Sequence, residues 1–128
     1  MKTSKLTIRV NRPAAAVFSF TLDPKNTPKW IDFIAEERTN EFPPKLGTIY
    51  ENRGSEGGWR ELKMTEFEKD EKFTLHSPAS GYNVRYTFTP VSDTETELEY
   101  YEWMDDGELE EPFDKKYLEK LKAVLEDS

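Results

Sequence analysis

The sequence contains no cysteine and a single histidine, His76. The first absence excludes disulfides and thiolate zinc sites. The second leaves the common transition-metal and catalytic constellations without their usual ligands. Long apolar runs are also missing, and none approaches the ~20 residues that a helix needs to cross a bilayer. Where a signal peptide would place an apolar core, Met1-Lys2-Thr3-Ser4-Lys5 runs into an alternating stretch. A soluble cytoplasmic protein with no membrane span is the expectation, and the lack of cysteine fits that compartment. Basic charge is scarce as well: 18 Lys and Arg stand against 26 Asp and Glu, for a net charge of -8. The basic residues alternate with glutamates and form no run, so a phosphate backbone would be repelled and no nucleic-acid partner is expected. No glycine pattern matches a phosphate loop, and no Ser or Thr lies in a nucleophile-elbow context. Asp105-Asp106-Gly107-Glu108 lacks the alternating ligands of a calcium loop and reads as a solvated turn. Neither a metal nor a cofactor is called for.

What the chain has in quantity is rings: eight Phe, six Tyr and three Trp. Large side chains of this kind either fill a core or line a pocket, and Tyr hydroxyls add polar handles. With 128 residues, one domain over 1–128 with one sizeable core is expected.

The patterning is readable along most of that length. Lys5 to Val10 alternates as a half-buried strand. Pro13 suits the first turn of a helix over Ala14 to Leu22, and Asp23-Pro24 ends it. Thr27 and Pro28 open a second short helix, with Trp30, Phe33 and Ile34 at core-facing spacing. Strands are expected at Glu37–Phe42, Thr48–Arg53, Trp59–Glu68, Lys72–Ser77, Tyr82–Thr89 and Glu95–Met104. Glycines at 54, 57 and 58 supply a hairpin turn. The clearest signal is Tyr82, Val84, Tyr86 and Phe88 alternating with Asn83, Arg85, Thr87 and Thr89, which means one dry face and one wet one. Pro112 opens a last, amphipathic helix, in which Phe113, Tyr117, Leu121 and Leu125 recur every four residues. An antiparallel sheet with one dry face, covered by a terminal helix, is an α+β arrangement.

Specific residues resemble the START/SRPBCC superfamily, the helix-grip, polyketide cyclase-like proteins. Val10-Asn11-Arg12-Pro13-Ala14-Ala15-Ala16-Val17-Phe18 and then Asp23-Pro24 through Pro28-Lys29-Trp30 are similar to the opening signature of that group. Gly47-Thr48-Ile49-Tyr50, the Trp59 to Phe67 strand and the closing Leu121 to Glu126 segment resemble it too, so the likeness covers nearly the whole chain. The resemblance implies a helix-grip fold: a seven-stranded antiparallel sheet wrapped around a C-terminal helix, with two short helices after the first strand and a cavity between sheet and helix. Its members include cyclase-like proteins, lipid carriers, hormone receptors and chaperone activators, without a shared catalytic motif, so no catalytic residue carries over. The final helix, about residues 112–126, is short for the family, which implies a cavity that is shallow, open at one end or filled by rings.

If the late strands turn their rings inward, Tyr86, Phe88, Leu98, Tyr100, Leu62, Met64, Phe73 and Leu75 face the ligand space, joined by Tyr50. Phe33, Tyr117 and Leu121 would close it from the helices. The alternative is that the same residues make a filled core. By parity Glu66 and Glu102 are candidate polar cavity groups, whose burial would raise their pKa, and both also admit a solvated reading. His76 has the opposite parity and reads as a surface residue. Three functions are compatible: binding of a hydrophobic, aromatic or lipid-like small molecule by a monomer or weak homodimer; a cyclase, aromatase or hydrolase acting on a cavity-bound substrate; and a co-chaperone-like interaction module with an exposed patch near Trp59 or Trp103.

Overall fold

The computed structural model describes residues 2–127. One seven-stranded antiparallel sheet runs in the order β1-β7-β6-β5-β4-β3-β2. Its strands are β1 (Thr3–Val10), β2 (Glu36–Thr39), β3 (Ile49–Arg53), β4 (Arg60–Glu68), β5 (Lys72–His76), β6 (Tyr82–Ser92) and β7 (Glu95–Met104). Helix α1 (Ala14–Leu22) follows β1, and helix α2 (Lys115–Glu126) closes the chain. This is the helix-grip arrangement that the order of elements implied.

Period-two patterning does what it should on the long strands. Tyr86 pairs with Tyr100 and Phe88 with Leu98 across β6 and β7, and all four are buried. Tyr86 stacks on Phe73 of β5 with centroids 4.5 Å apart. From above, Phe18 of α1 meets Phe67, Phe73 and Phe88 edge-on at 5.3 to 5.9 Å. Ring pairs of this geometry add about 0.5–1.5 kcal/mol each beyond the area they bury. One end of the dry face is therefore a solid aromatic core.

Helix α2 covers the other edge. Leu118, Leu121 and Leu125 are its buried stripe. Its C-terminal half is tied to the end of β1: Lys122 Nζ donates to the Arg9 carbonyl, the Asn11 amide to Glu126 Oε2, and the Arg12 guanidinium to the Glu126 carbonyl, each at 2.8 Å. With twelve residues the helix is ~18 Å long.

Three expectations need correction. The last helix does not open at Pro112: Asp114 is its N-cap, its side chain accepting the Lys116 amide at 2.9 Å, and Phe113 is a buried loop residue. The second early helix is a single 3-10 turn, Thr27–Lys29. The Trp30 and Ile31 amides both return to the Thr27 carbonyl, and Trp30 then leaves helical geometry with φ near -130°. Phe33 consequently misses the core and is 48% exposed. Finally, Glu66 does not face inward. Met64 pairs with Leu75 but Glu66 with Thr74, so the strand carries a bulge at Thr65. The extra residue reverses parity beyond it, turning Phe67 in and Glu66 out.

The cap and the stripe make a graded prediction. Leu118→Ala should cost about 2–5 kcal/mol in urea unfolding, and Asp114→Ala about 1 kcal/mol. Equal losses from both substitutions would contradict this account of α2.

Candidate functional site

The sheet's dry face is not covered everywhere. Between the β2 to β7 region of the sheet, the segment from Thr21 to Ile34 and the start of α2 lies a cavity of about 680 Å3. Only Lys116 and Tyr117 of α2 line it, so it opens beside the N-terminal end of the helix and not beneath its middle. Pro112 and Phe113 supply the rest of that wall. Phe33 and Tyr117 meet edge-on at 5.4 Å, and both contact Phe113. They stand at the mouth, on the half-open side that a short helix leaves.

The residues singled out from the sequence divide accordingly. Tyr50, Leu62, Phe73, Leu75, Tyr86 and Tyr100 line the floor of the cavity, and Phe33 and Tyr117 its rim. Met64, Phe88, Leu98 and Leu121 are buried in the core cluster and do not line it. Phe18 fills the space above Phe88. Glu66 lies outside on the opposite face of the sheet, where Thr74 donates to it at 2.8 Å and Lys72 approaches to 3.2 Å. What burial it has works against ionisation, but those two hydrogen bonds and the charges of Lys72 and Arg85 outweigh it, and its carboxyl titrates below the usual range. His76 also points away from the cavity, its Nδ1 2.9 Å from Asn83 Oδ1. Trp59 and Trp103 have the outward parity but form no open patch. Both are half-buried, Trp59 beneath Arg38 at 3.8 Å and Trp103 beside Tyr101 at 5.4 Å.

Glu102 does reach the cavity wall, and it is only 2% exposed. Both its oxygens are occupied: Oε1 accepts the Phe113 amide at 2.7 Å, and Oε2 accepts the Tyr82 hydroxyl. Burial raises its pKa, while those two hydrogen bonds pull the other way. Its position explains the loop. A carboxylate on β7 that grips the Phe113 amide fixes Phe113 flat on Tyr100, with centroids 4.2 Å apart. Glu102 is thus a clamp for one wall of the cavity.

A second inward carboxylate, Glu37, was not among the sequence candidates. It sits on β2 opposite Asn52 of β3 and lines the same cavity. Thr27 Oγ1 donates to its Oε1 at 2.6 Å and Asn52 Nδ2 to its Oε2 at 3.3 Å. Arg60 Nη2 in turn donates to Asn52 Oδ1 at 3.0 Å, which orients the Asn52 amide so that its NH2 faces Glu37. Burial pushes the Glu37 carboxyl up to about 7, with the two hydrogen bonds only partly opposing it. The signal that would have found it is register: Tyr50 and Asn52 share a face, and Glu37 is the cross-strand partner of Asn52.

Four tyrosines surround these carboxylates. Tyr50 donates to the Leu22 carbonyl at 2.7 Å. Burial pushes the phenols of Tyr50, Tyr82, Tyr86 and Tyr100 upward. Neighbouring charge adds to this: Glu37 acts on Tyr50 and Tyr86, and Glu102 on Tyr82, Tyr86 and Tyr100. All four stay protonated at neutral pH, and Tyr50 and Tyr82 already give their hydroxyl protons to the Leu22 carbonyl and to Glu102. Among the described residues no cluster of His, Cys, Asp and Glu could hold a metal ion. No helix among them is long and apolar enough to cross a membrane.

Comparison with known proteins agrees with this geometry. The family model described as polyketide cyclase / dehydrase and lipid transport matches residues 1–127. No curated protein matches the sequence. Among solved structures, a protein from Mesorhizobium loti is 16% identical with a TM-score of 0.78, covering 99% of this chain and 98% of its own. A START superfamily protein from Mycobacterium smegmatis is 14% identical with a TM-score of 0.76, covering 99% of both chains. A conserved protein of unknown function from Enterococcus faecalis is 9% identical with a TM-score of 0.76, covering 96% of this chain and 70% of its own. At these identities the structural likeness shows the fold.

The raised Glu37 has a thermodynamic consequence. Its carboxyl binds a proton more tightly in the folded chain, at about 7, than at the ordinary value of 4.5. The stability this gives is fully present below about pH 4.5 and is lost as pH rises through about 7. Between pH 5 and pH 8 the protein should lose about 1–3 kcal/mol more than Glu37→Gln does in urea unfolding. Parallel pH curves for the two proteins would show that Glu37 is solvated.

Proposed function

Because the chain belongs to the polyketide cyclase / dehydrase and lipid transport family, we propose that it binds one apolar or aromatic small molecule in the cavity between its sheet and the start of α2. The observation that carries this reading is a space of about 680 Å3 floored by inward rings, with polar and charged side chains, among them Glu37, Asn52 and Arg60, along its walls. Pockets for small ligands have this size and character: apolar walls for affinity and a few fixed polar groups for orientation. Glu37 and the phenol oxygens of Tyr86 and Tyr100 are those groups. A packed core would leave no room of this kind. On this reading residues 1–128 act as one cytoplasmic ligand-binding domain, as a monomer or weak homodimer with no nucleic-acid partner.

One observation favours a second reading, acid–base chemistry on the bound molecule. Glu37 has a carboxyl poised near neutrality and faces the cavity, as a general acid or base does. That reading requires turnover that Glu37→Gln abolishes while ligand binding persists.

The binding reading is tested with the neutral fluorescent probe N-phenyl-1-naphthylamine. The protein should take up one equivalent with a fluorescence increase. Leu62→Trp, which fills the cavity floor, should weaken that binding at least tenfold while far-UV circular dichroism is unchanged. No uptake by the wild-type protein, together with no small molecule retained in native mass spectrometry, would sink the proposal.

A further inference from the structure

We infer that the molecule held in the cavity carries a positively charged nitrogen on an aromatic frame and seats that nitrogen against Glu37. This rests on the cavity being a binding site and names the class of ligand it takes.

On the outer surface Glu51 pairs with Arg38, Glu36 with Arg53, Glu66 and Glu68 with Lys72, and Glu126 with Lys122. Glu37 and Glu102, which line the cavity from the sheet, have no cationic partner among the described residues. Glu102 gives one oxygen to a backbone amide and the other to a phenol, and it is almost fully enclosed. Glu37 also accepts one hydrogen bond on each oxygen, from a hydroxyl and a side-chain amide, but the amide stands at a long 3.3 Å and the residue is half-buried. A carboxylate oxygen accepts more than one hydrogen bond, so Glu37 keeps acceptor capacity directed into the cavity.

Two cations line the cavity, Arg60 and Lys116, and Arg60 is already committed. Its guanidinium donates to Asn52 Oδ1 and reaches Glu37 only through that amide. Arg60 is therefore a positioning residue, which aims the Asn52 NH2 and leaves the carboxylate without a counter-ion. A half-buried carboxylate without a counter-ion is partly desolvated, and a ligand cation offsets that cost. Burial has moved the carboxyl toward neutrality, as expected of a site whose counter-charge arrives from outside. The rings beside it complete the recognition. Tyr50 and Tyr86 stand close enough for Glu37 to perturb both phenols, and a cation between a carboxylate and aromatic faces is attracted by each.

Three naphthyl probes of equal size separate the possibilities: 2-naphthylmethylamine in its ammonium form, 2-naphthylmethanol and 2-naphthoate. In calorimetry at neutral pH the ammonium should bind the wild-type protein at least tenfold more tightly than the alcohol, and 2-naphthoate most weakly. Glu37→Gln, with folding checked by circular dichroism, should remove that preference, bringing the ammonium and the alcohol within threefold of each other. If the alcohol or 2-naphthoate binds wild-type protein as tightly as the ammonium, the inference is overturned and the cavity reading survives. If the ammonium preference persists in Glu37→Gln, the charge is read elsewhere and the inference is again overturned. If none of the three binds, both readings fall.

Discussion

Everything in this structure follows from a mismatch of dimensions. Seven strands spaced ~4.8 Å apart present a face ~29 Å across, rich in rings that must be kept from water. The twelve-residue helix meant to cover it is ~18 Å long and ~10 Å wide. It can bury one edge of that face and no more. Phe18 on α1 seals another part by packing edge-on against three rings. What neither helix reaches is bridged by irregular chain, the Thr27–Ile34 segment on one side and Pro112–Phe113 on the other. Bridged space of that sort is hollow, and here it is aromatic below and half-open at Phe33.

Irregular walls need fixing, and the protein fixes them with buried polar groups. Glu102 holds the Phe113 amide, and Tyr50 holds the Leu22 carbonyl at the end of α1. The contrast between the two inward glutamates follows from this division. One is consumed in shaping the cavity; the other is presented to it. Each accepts one hydrogen bond on each oxygen, and they differ in burial and in the length of those bonds: Glu102 is almost fully enclosed, while Glu37 is half-buried and holds Asn52 at a long 3.3 Å.

Much of this was legible from residue order, for reasons that can be stated. Tyr82 to Phe88 alternates without a break, so its inward face is fixed by a period of two, and Tyr86 and Tyr100 are 6% and 4% exposed as that period requires. Glu66 was misplaced because a single extra residue, Thr65, shifts parity beyond it, and nothing in Met64-Thr65-Glu66-Phe67 marks a bulge. Phe113 continues a four-residue repeat into Tyr117 and Leu121, yet it packs from a loop, since Asp114 caps the helix one residue later. Glu37 was missed because Glu36-Glu37-Arg38-Thr39 contains no apolar residue to show which side is dry. Its orientation comes entirely from pairing with β3, and strand pairing is a tertiary fact. The short second helix failed for a related reason: Trp30 and Ile34 are both buried, but one 3-10 turn and a bend achieve this without helical spacing.

The account stands on the claim that the uncovered part of the sheet encloses space instead of collapsing on itself. A crystal structure of the purified protein at a resolution that fixes side-chain rotamers tests it most directly. The account predicts a continuous hollow between Tyr86 and Tyr117, walled by Phe113 and Glu37, filled by ordered solvent or by a bound molecule. Rings of Phe33, Tyr86 and Tyr117 found packed against one another, with no void larger than a water molecule among them, would contradict it.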